Sequence, residues 1–235
     1  MRVIGRVLTG DPGSLTPMRP HIVWDWNGTL FDDQPMVIAG LNVALDAAGL
    51  PPIDQDTYQR LYTRPVQVFY ERIFGRPIEP AEWELIDEAF HAGYREAIVD
   101  ARLAADATDA LGRAAETGAS QSLLSMYPHQ YLLPLVDHHA IADRFIRVDG
   151  LRGAGGGLKA PYLEAHLERV AAANGGTPAE VLVIGDAKDD AAAAAHVGVA
   201  CVLYDGGSHP RRELAATGFP VADSLTEAVE LAGWV

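Results

Sequence analysis

Residues 21–33 read HIVWDWNGTLFDD, in which a short apolar stretch runs directly into Asp25 and Asn27. A brief and almost continuous apolar run of this kind predicts a strand that is buried on both faces. Gly28 then allows a tight backbone after the strand. The sequence therefore places an acid and an amide at the carboxyl end of a buried strand.

Similar apolar runs recur along the chain and are separated by helical patterns. The later strand candidates cover residues 120–127, 144–149, 181–186 and 199–204. Residues 161–174 begin with proline, carry apolar residues at helical spacing and end before Gly175, which predicts a helix. Strands that alternate with helices predict an α/β fold with a Rossmann-like, doubly wound parallel sheet covered on both faces.

Residues 34–103 follow a different pattern, with no strand candidate and four helical patterns separated by breaks rich in glycine and proline. Apolar residues recur at helical spacing in the last of these patterns, and we expect them to pack on neighbouring helices: Trp83, Leu85, Ile86, Phe90, Tyr94, Ile98 and Val99. We therefore predict an inserted all-α module at 34–103, an α/β core formed by 20–33 and 104–235, and an N-terminal extension at 1–19.

The composition limits the classes of partner. The 235 residues include 18 basic and 32 acidic side chains, and the net charge of −14 disfavours binding to a nucleic-acid backbone. Cys201 is the only cysteine, so an internal disulfide is excluded and a reducing compartment is expected. No apolar run approaches the length of a membrane span. We expect a cytoplasmic protein without nucleic-acid or membrane partners.

Four polar residues mark motifs that are far apart in the sequence. Asp25 opens DWNGTL, Ser125 closes SLLS, Lys159 lies in GLKAP, and Asp186 lies in GDAKDD. Three of them follow strand candidates, and parallel α/β sheets bind their ligands beyond the carboxyl ends of the strands. The gap of 100 residues between Asp25 and Ser125 has room for an extra domain, whereas the later gaps of 34 and 27 residues do not.

These motifs, in this order, resemble those of the haloacid dehalogenase superfamily. The resemblance implies that Asp25 is a nucleophile that becomes an aspartyl phosphate. It implies that Ser125 and Lys159 hold the transferring phosphoryl group, and that Asp186 and Asp190 bind Mg²⁺.

The resemblance covers residues 20–235 and extends to the insertion. Residues 34–103 resemble the family's helical cap of the first type, and GGSH at 206–209 resembles a loop of its phosphoglycolate phosphatase-like members. The implied protein is a Mg²⁺-dependent phosphatase whose substrate is a small phosphorylated metabolite enclosed between cap and core.

The residue types also suit phosphoryl transfer, which needs a nucleophile, a divalent ion and fixed cations around the phosphoryl oxygens. Asp25 and Asp186 suit Mg²⁺, because this ion takes few protein oxygens, and the backbone carbonyl of Asn27 would complete the protein's share. Lys159 follows a glycine-rich segment from which a cation can reach a phosphate. Thr29 either offers its hydroxyl to the substrate or caps the next helix.

Arg64 and His209 are candidate substrate ligands, each with a structural alternative. Arg64 precedes Pro65 and can equally end a helix of the insertion, and His209 precedes Pro210 and can equally be a loop residue. Asp186, Asp189 and Asp190 also have a structural alternative to metal binding, since carboxylates at a helix N-terminus complement the helix dipole.

Asn27 departs from the family pattern, because most phosphatases of the superfamily carry aspartate at that position to protonate the leaving oxygen and then activate water. An amide cannot exchange that proton, so hydrolysis is expected to lose a contribution of roughly 10²- to 10⁴-fold. Asn27 can still donate a hydrogen bond to the leaving group, so phosphoryl transfer to Asp25 stays possible. An alternative function is therefore a catalytically weakened module that binds a phosphorylated ligand or is itself phosphorylated on Asp25 for regulation.

Two other chemistries of the superfamily are disfavoured by the residues present. Haloacid dehalogenases lack the acid that corresponds to Asp186. Phosphonate-cleaving relatives draw a Schiff-base lysine from the cap, whereas residues 34–103 contain no lysine.

Overall fold

The computed structural model describes residues 19–153 and 157–234, so the predicted extension at 1–19 lies outside the described residues except for Arg19. The strands of this part are β1 (His21–Trp24), β2 (Phe31–Asp32), β3 (Arg102–Leu103), β4 (Ser120–Pro128), β5 (Arg147–Leu151), β6 (Val181–Gly185), β7 (Ala200–Tyr204) and β8 (Val221–Ala222). Six of them form one parallel sheet in the order β5-β4-β1-β6-β7-β8, while β2 and β3 pair antiparallel.

The helices of the described residues are α1 (Gln34–Ala47), α2 (Gln55–Leu61), α3 (Val66–Phe74), α4 (Pro80–Ala97), α5 (Ala107–Glu116), α6 (His129–His138), α7 (Ala160–Asn174), α8 (Lys188–Val197), α9 (Arg211–Ala215) and α10 (Leu225–Glu230). Short 3₁₀ turns cover Ile98–Asp100 and Ala142–Arg144. Each of these helices is too short or too polar to span a membrane.

Helices cover both faces of the central sheet, as the alternating directions of the side chains of β1 show. Ile22 and Trp24 point into one buried layer, which also contains apolar residues of α5, α6 and α10. Val23 points into the opposite layer, together with apolar residues of α7, α8 and α9. Successive side chains of a strand face opposite sides, so an apolar residue at every position indicates burial on both. The predicted α/β fold with a doubly covered parallel sheet is confirmed.

The predicted strands lie close to those observed, with two differences. The weakly apolar strand predicted at 144–149 is β5 at Arg147–Leu151, because residues Ala142–Arg144 form a 3₁₀ turn. Strands β2, β3 and β8 were not predicted, since each has only two residues, and β3 at Arg102–Leu103 lies at the end of the interval 34–103 that was predicted to be all-α. A two-residue edge strand has too little periodicity to be recognised in a sequence.

Residues between β2 and β3 form the helices α1 to α4, and the two short strands lie side by side where the chain leaves the core and returns to it. These helices share an apolar cluster of their own, which includes Leu41, Tyr58, Phe69 and Ile86. The expectation that all the apolar residues of α4 and the following turn pack together is wrong for Leu85 and Val99, which are 52% and 75% exposed.

A chain of polar side chains crosses the interior below the site. Asp149 is acceptor-only when ionised, so His166 donates to it through Nδ1 at 2.8 Å and accepts from Ser122 through Nε2 at 2.7 Å. His21 Nε2 then donates to Ser122 Oγ, and His21 Nδ1 accepts from Ser120, both at 2.7 Å. The Ser122–His166–Asp149 spacing is that of a catalytic triad, yet Ser122 is fully buried, so the chain is structural.

We predict that acid destabilises the fold through His21. Burial, and then the neighbouring His166 ring, lowers the pKa of His21 from 6.5 to about 4. The unfolded chain therefore binds this proton at a higher pH than the folded chain does. The stabilisation by the neutral ring is complete above pH 6.5 and falls as the pH drops towards 4. Its full loss is on the order of 3 kcal/mol.

His21→Gln removes this titration. Its free energy of unfolding, measured with urea, should decrease less than that of the wild type between pH 6.5 and 4. Equal pH slopes for the two proteins would contradict the assignment of the effect to His21.

Candidate active site

The carboxyl ends of β1, β4 and β6 place the predicted site residues at one edge of the sheet. Trp24 is in register with Leu123 of β4 and with Ile184 of β6. Asp25 follows β1 directly, Asp186 follows β6, and Ser125 lies where β4 extends past the end of β1. The chain reverses direction across the sheet at β1, and ligands of doubly wound sheets bind at such a switch point.

Three acids form the centre of the site. Asp25, Asp186 and Asp190 each place one carboxylate oxygen so that the three atoms lie within 4.8 Å of one another. Lys159 Nζ donates to Asp25 Oδ1 at 2.6 Å and to Asp190 Oδ1 at 2.5 Å. Since all four residues are buried, the ammonium and its two carboxylates form a charged unit with little exposure to solvent.

Asp186 is held by neutral groups alone among the described residues. Its Oδ1 accepts from the Thr29 hydroxyl at 3.0 Å, and its Oδ2 accepts from the backbone N–H and the hydroxyl of Ser208 at 2.7 and 2.6 Å. A Cβ at Gly28 or Gly207 would lie 2.6 or 2.1 Å from Asp186 Oδ2, so glycine is required at both positions. The two loops are thus packed directly onto this carboxylate.

Burial raises the pKa of Asp25, Lys159 opposes that rise, and the charges of Asp190 and Asp186 add to it, so that the pKa lies at about 8. Burial and then Asp190 also raise the pKa of Asp186, while the hydrogen bonds from Ser208 oppose that rise. Burial lowers the pKa of Lys159, but Asp190 and Asp25 outweigh it and hold that pKa above its usual range. The lysine therefore stays charged, and the cluster has an excess of negative charge.

The donor set fits a small divalent cation. Three carboxylates face one ammonium, and Asp186 has no cationic partner among the described side chains. A divalent ion would bring this group to neutrality, and carboxylate oxygens are the ligands that Mg²⁺ prefers. Asp25, Asp186 and Asp190 are the residues that would hold it.

Asn27 belongs to a second group, in which each polar atom of its side chain has a partner. Its Nδ2 donates to Asp33 Oδ2 at 2.7 Å and to the Tyr94 hydroxyl at 3.0 Å, and its Oδ1 accepts from Ser125 at 3.3 Å. The Tyr94 hydroxyl in turn donates to Asp33 Oδ2 at 2.6 Å. Both amide hydrogens are thus committed, and neither is directed at a leaving group in this arrangement.

Asp33 explains the amide at position 27. The carboxylate lies at the start of α1 but does not cap that helix, and instead its Oδ1 accepts from Gly28 N at 3.0 Å. Burial raises its pKa to about 6, against the hydrogen bonds from Tyr94 and Asn27. Because a carboxylate accepts and an amide donates, Asn27 suits this neighbour, whereas a second acid would face it at hydrogen-bond distance.

A cavity of about 460 Å³ opens above the carboxylates and is closed on the far side by the helices α1 to α4. Arg64, in the loop between α2 and α3, lines it and lies 3.9 Å from Asp189. Asp189 also accepts from Lys159 N at 3.1 Å. The insertion and the core therefore meet at this pair.

The structure does not bring two predicted substrate ligands to the cavity. Thr29 is fully buried beneath Asp186, and no helix begins there for it to cap, so its hydroxyl positions an acid. His209 is buried with its ring 5.2 Å from that of Tyr62, and its neighbour Ser208 lines the cavity instead. Burial, and then Lys188, lowers the pKa of His209 to about 4, so the ring is neutral near pH 7.

Three residues of the site were missed in the sequence. Tyr94 was interpreted as a packing residue of α4, and Asp33 as the last residue of the first core segment. Ser208 was noted only within a loop motif. Helical spacing correctly identified Ile86 and Tyr94 as packing residues of α4, but it carries no information on what the Tyr94 hydroxyl contacts.

The fold and the acidic site define a doubly wound α/β enzyme with a helical insertion, and comparisons with known proteins agree. The chain belongs to the haloacid dehalogenase-like hydrolase family, whose model matches residues 20–198. This match confirms the resemblance and the prediction of an enzyme of the hydrolase class.

The relatives are similar over most of their length. A phosphoglycolate phosphatase of Pseudomonas putida is 28% identical over 223 residues, covering 91% of this chain and 79% of the relative. Phosphoglycolate phosphatase 1 of Pseudomonas aeruginosa is 25% identical, covering 87% and 76%. The solved structure of a haloacid dehalogenase-like family hydrolase from Streptococcus pneumoniae superposes with a TM-score of 0.77 at 17% identity, covering 92% of this chain and 99% of that one. The predicted likeness to phosphoglycolate phosphatase-like members is confirmed.

We predict that Asn27→Asp destabilises the protein. The new carboxylate would face Asp33 at the present distance of 2.7 Å in a buried setting, and one of the two acids would have to remain protonated. The expected loss is roughly 3 kcal/mol in the free energy of unfolding near pH 7. Chemical denaturation of both proteins measures it.

The exchange variant Asn27→Asp/Asp33→Asn is the matched control, because it keeps one acid and one amide in the pair. It should recover most of the lost stability. If the single and the double variant are equally stable, repulsion between the two positions is not the reason for the amide.

Proposed function

We propose that this protein is a Mg²⁺-dependent phosphatase that hydrolyses a small phosphorylated metabolite through an aspartyl phosphate on Asp25. The observation that carries the proposal is a buried carboxylate at the end of β1, bridged by Lys159 and flanked by Asp186 and Asp190 at the base of the cavity. Membership of the hydrolase family and the names of the relatives, which are phosphoglycolate phosphatases, support it.

In the first step, a carboxylate oxygen of Asp25 attacks phosphorus, and the bond from phosphorus to the leaving oxygen breaks. Lys159 provides a fixed positive charge for the phosphoryl oxygens, and the Ser125 hydroxyl is positioned by the Tyr127 backbone N–H, which donates to it at 3.0 Å. The leaving oxygen takes a proton from solvent, because the amide of Asn27 has none to exchange. In the second step, water attacks phosphorus, the bond from phosphorus to the Asp25 oxygen breaks, and the water passes a proton to solvent, which releases phosphate and restores the Asp25 carboxylate.

Mg²⁺, held by Asp25, Asp186 and Asp190 with the backbone carbonyl of Asn27, would supply positive charge that reduces repulsion between the phosphoryl group and the nucleophile. Thr29 and Ser208 fix the orientation of Asp186. Removal of a partner that orients a metal ligand typically lowers metal affinity by roughly 10- to 100-fold.

The helices α1 to α4 are proposed to act as a cap over the site, joined to the core through β2 and β3. Tyr94 supports this role, because it reaches from α4 to Asp33 and Asn27. Arg64 supports it as well, through its contact with Asp189. The buried free Cys201 agrees with a cytoplasmic location, which stays a prediction from composition.

We predict that Asp25→Asn abolishes Mg²⁺-dependent release of phosphate across a panel of phosphorylated metabolites, because an amide is no nucleophile for phosphorus. The matched control is Asp143→Asn, which removes a carboxylate whose side chain is 83% exposed. Phosphate release is measured for the three proteins with Mg²⁺ and with a chelator, and the control should equal the wild type.

Intact-mass measurement in the same experiment separates the two candidate functions. Phosphate release with a transient phosphoryl adduct on Asp25 supports the phosphatase. A stable adduct without release would instead support a regulatory module, and Asp25→Asn with full activity would refute the proposed nucleophile.

We predict that the exchange variant Asn27→Asp/Asp33→Asn raises kcat by tenfold or more, since it brings an exchangeable proton to position 27. Asp33→Asn alone serves as the matched control and should show no gain. Intact-mass analysis of the wild type is needed, because deamidation in the Asn27-Gly28 sequence would create the same acid. A folded exchange variant with unchanged or lower kcat would contradict the role given to the amide.

A further inference from the structure

The part of the cavity that lies beyond the carboxylates is large for a two-carbon substrate. The whole cavity, including the end at the carboxylates, has a volume of about 460 Å³, which falls within the range of roughly 300–1,000 Å³ typical of pockets for drug-sized ligands. The acids and Lys159 occupy only the end formed by the core. The remainder must therefore accommodate a leaving group or be filled with water.

Aromatic side chains of the insertion form the wall of this remainder. Tyr58 of α2 and Tyr62, which directly follows α2, are stacked with ring centroids 5.0 Å apart. Tyr70 of α3 contacts the edge of Trp83 of α4 at 5.6 Å. All four rings line the cavity, and Phe90 of α4 joins them. Rings held by their neighbours offer a large apolar contact surface without loss of side-chain freedom on binding.

The charged side chains around the cavity disfavour a second negative group on the substrate. Six carboxylates line it, against the two permanent cations Arg64 and Lys159. Mg²⁺ and Lys159 would neutralise the three acids of the metal site, which leaves Asp33, Asp87 and Asp189 against Arg64. Lys159 already bridges two acids, and Arg64 lies beside Asp189. On the wall formed by the insertion, His91 lies 3.6 Å from Asp87. Each cationic group of the described lining thus already faces a carboxylate.

We propose that the leaving group of the substrate is a bulky, apolar and preferably aromatic group that carries no negative charge. This inference rests on the proposed phosphatase function and narrows its substrate class. It separates this chain from its relatives named phosphoglycolate phosphatases, because the leaving group of phosphoglycolate is a short carboxylate. Asp87 is the residue of the insertion that would reject such an anion.

The test compares two ligands that differ by one carboxylate. Benzylphosphonate and 4-carboxybenzylphosphonate resist hydrolysis, and their dissociation constants are measured by calorimetry with Mg²⁺ present. Hydrolysis of the corresponding esters, phenyl phosphate and 4-carboxyphenyl phosphate, is measured alongside phosphoglycolate. We expect the uncharged ligand to bind at least tenfold more tightly, and phenyl phosphate to have at least tenfold the kcat/KM of both carboxylated esters.

Two variants with the same change in total charge locate the effect. Asp87→Asn removes a carboxylate from the lining, whereas Glu88→Gln removes the adjacent one, which is exposed and lies outside the lining. The ratio of the dissociation constant of 4-carboxybenzylphosphonate to that of benzylphosphonate should decrease by threefold or more in Asp87→Asn. The same ratio should be unchanged in Glu88→Gln.

Equal or tighter binding of the carboxylated ligand would overturn the proposal, as would equal narrowing in the two variants. Acetyl phosphate, whose leaving group is small, keeps this result distinct from the proposed function. If acetyl phosphate and all of the esters resist hydrolysis, the phosphatase proposal fails, while the ratio of the two dissociation constants still decides the chemistry of the cavity.

Discussion

The bridge that Lys159 forms between Asp25 and Asp190 is the interaction on which the site depends. Buried carboxylates are unfavourable unless they are paired, and here one ammonium pairs two of them. Lys159 lies 134 residues from Asp25 in the sequence, so the bridge also joins the start of α7 to the end of β1. Asp186 has no cationic partner among the described side chains, so its negative charge favours binding of a cation at the site.

The amide at position 27 follows from a second constraint rather than from simple loss of an acid. Asp33 is buried and already accepts from Gly28 and Tyr94, so its remaining neighbour has to be a donor. Asn27 provides that donor and also links the turn after β1 to α4 of the insertion. The acid of the family pattern is thus absent from position 27 while a buried acid lies directly behind it, in contact with a tyrosine of the insertion.

The two parts of the cavity differ in chemical character because they come from different parts of the fold. The core contributes charged groups at the ends of parallel strands, where phosphoryl chemistry is positioned by rigid elements. The insertion contributes rings and few cations, and Arg64 is already placed beside Asp189. Under the proposed function, the core would therefore set the reaction type, and the insertion the nature of the leaving group.

The sequence by itself determined the α/β core, the helical character of 34–103 and the grouping of Asp25, Ser125, Lys159 and Asp186. Burial on both faces and motif order are local or sequential properties, and a single chain displays them. Tertiary structure alone decided the triangle of Asn27, Asp33 and Tyr94, the support of Asp186 by Ser208, and the removal of His209 from the cavity. These depend on which side chains meet across distant elements, and periodicity fixes the face on which a residue lies without specifying the partner of its polar atoms.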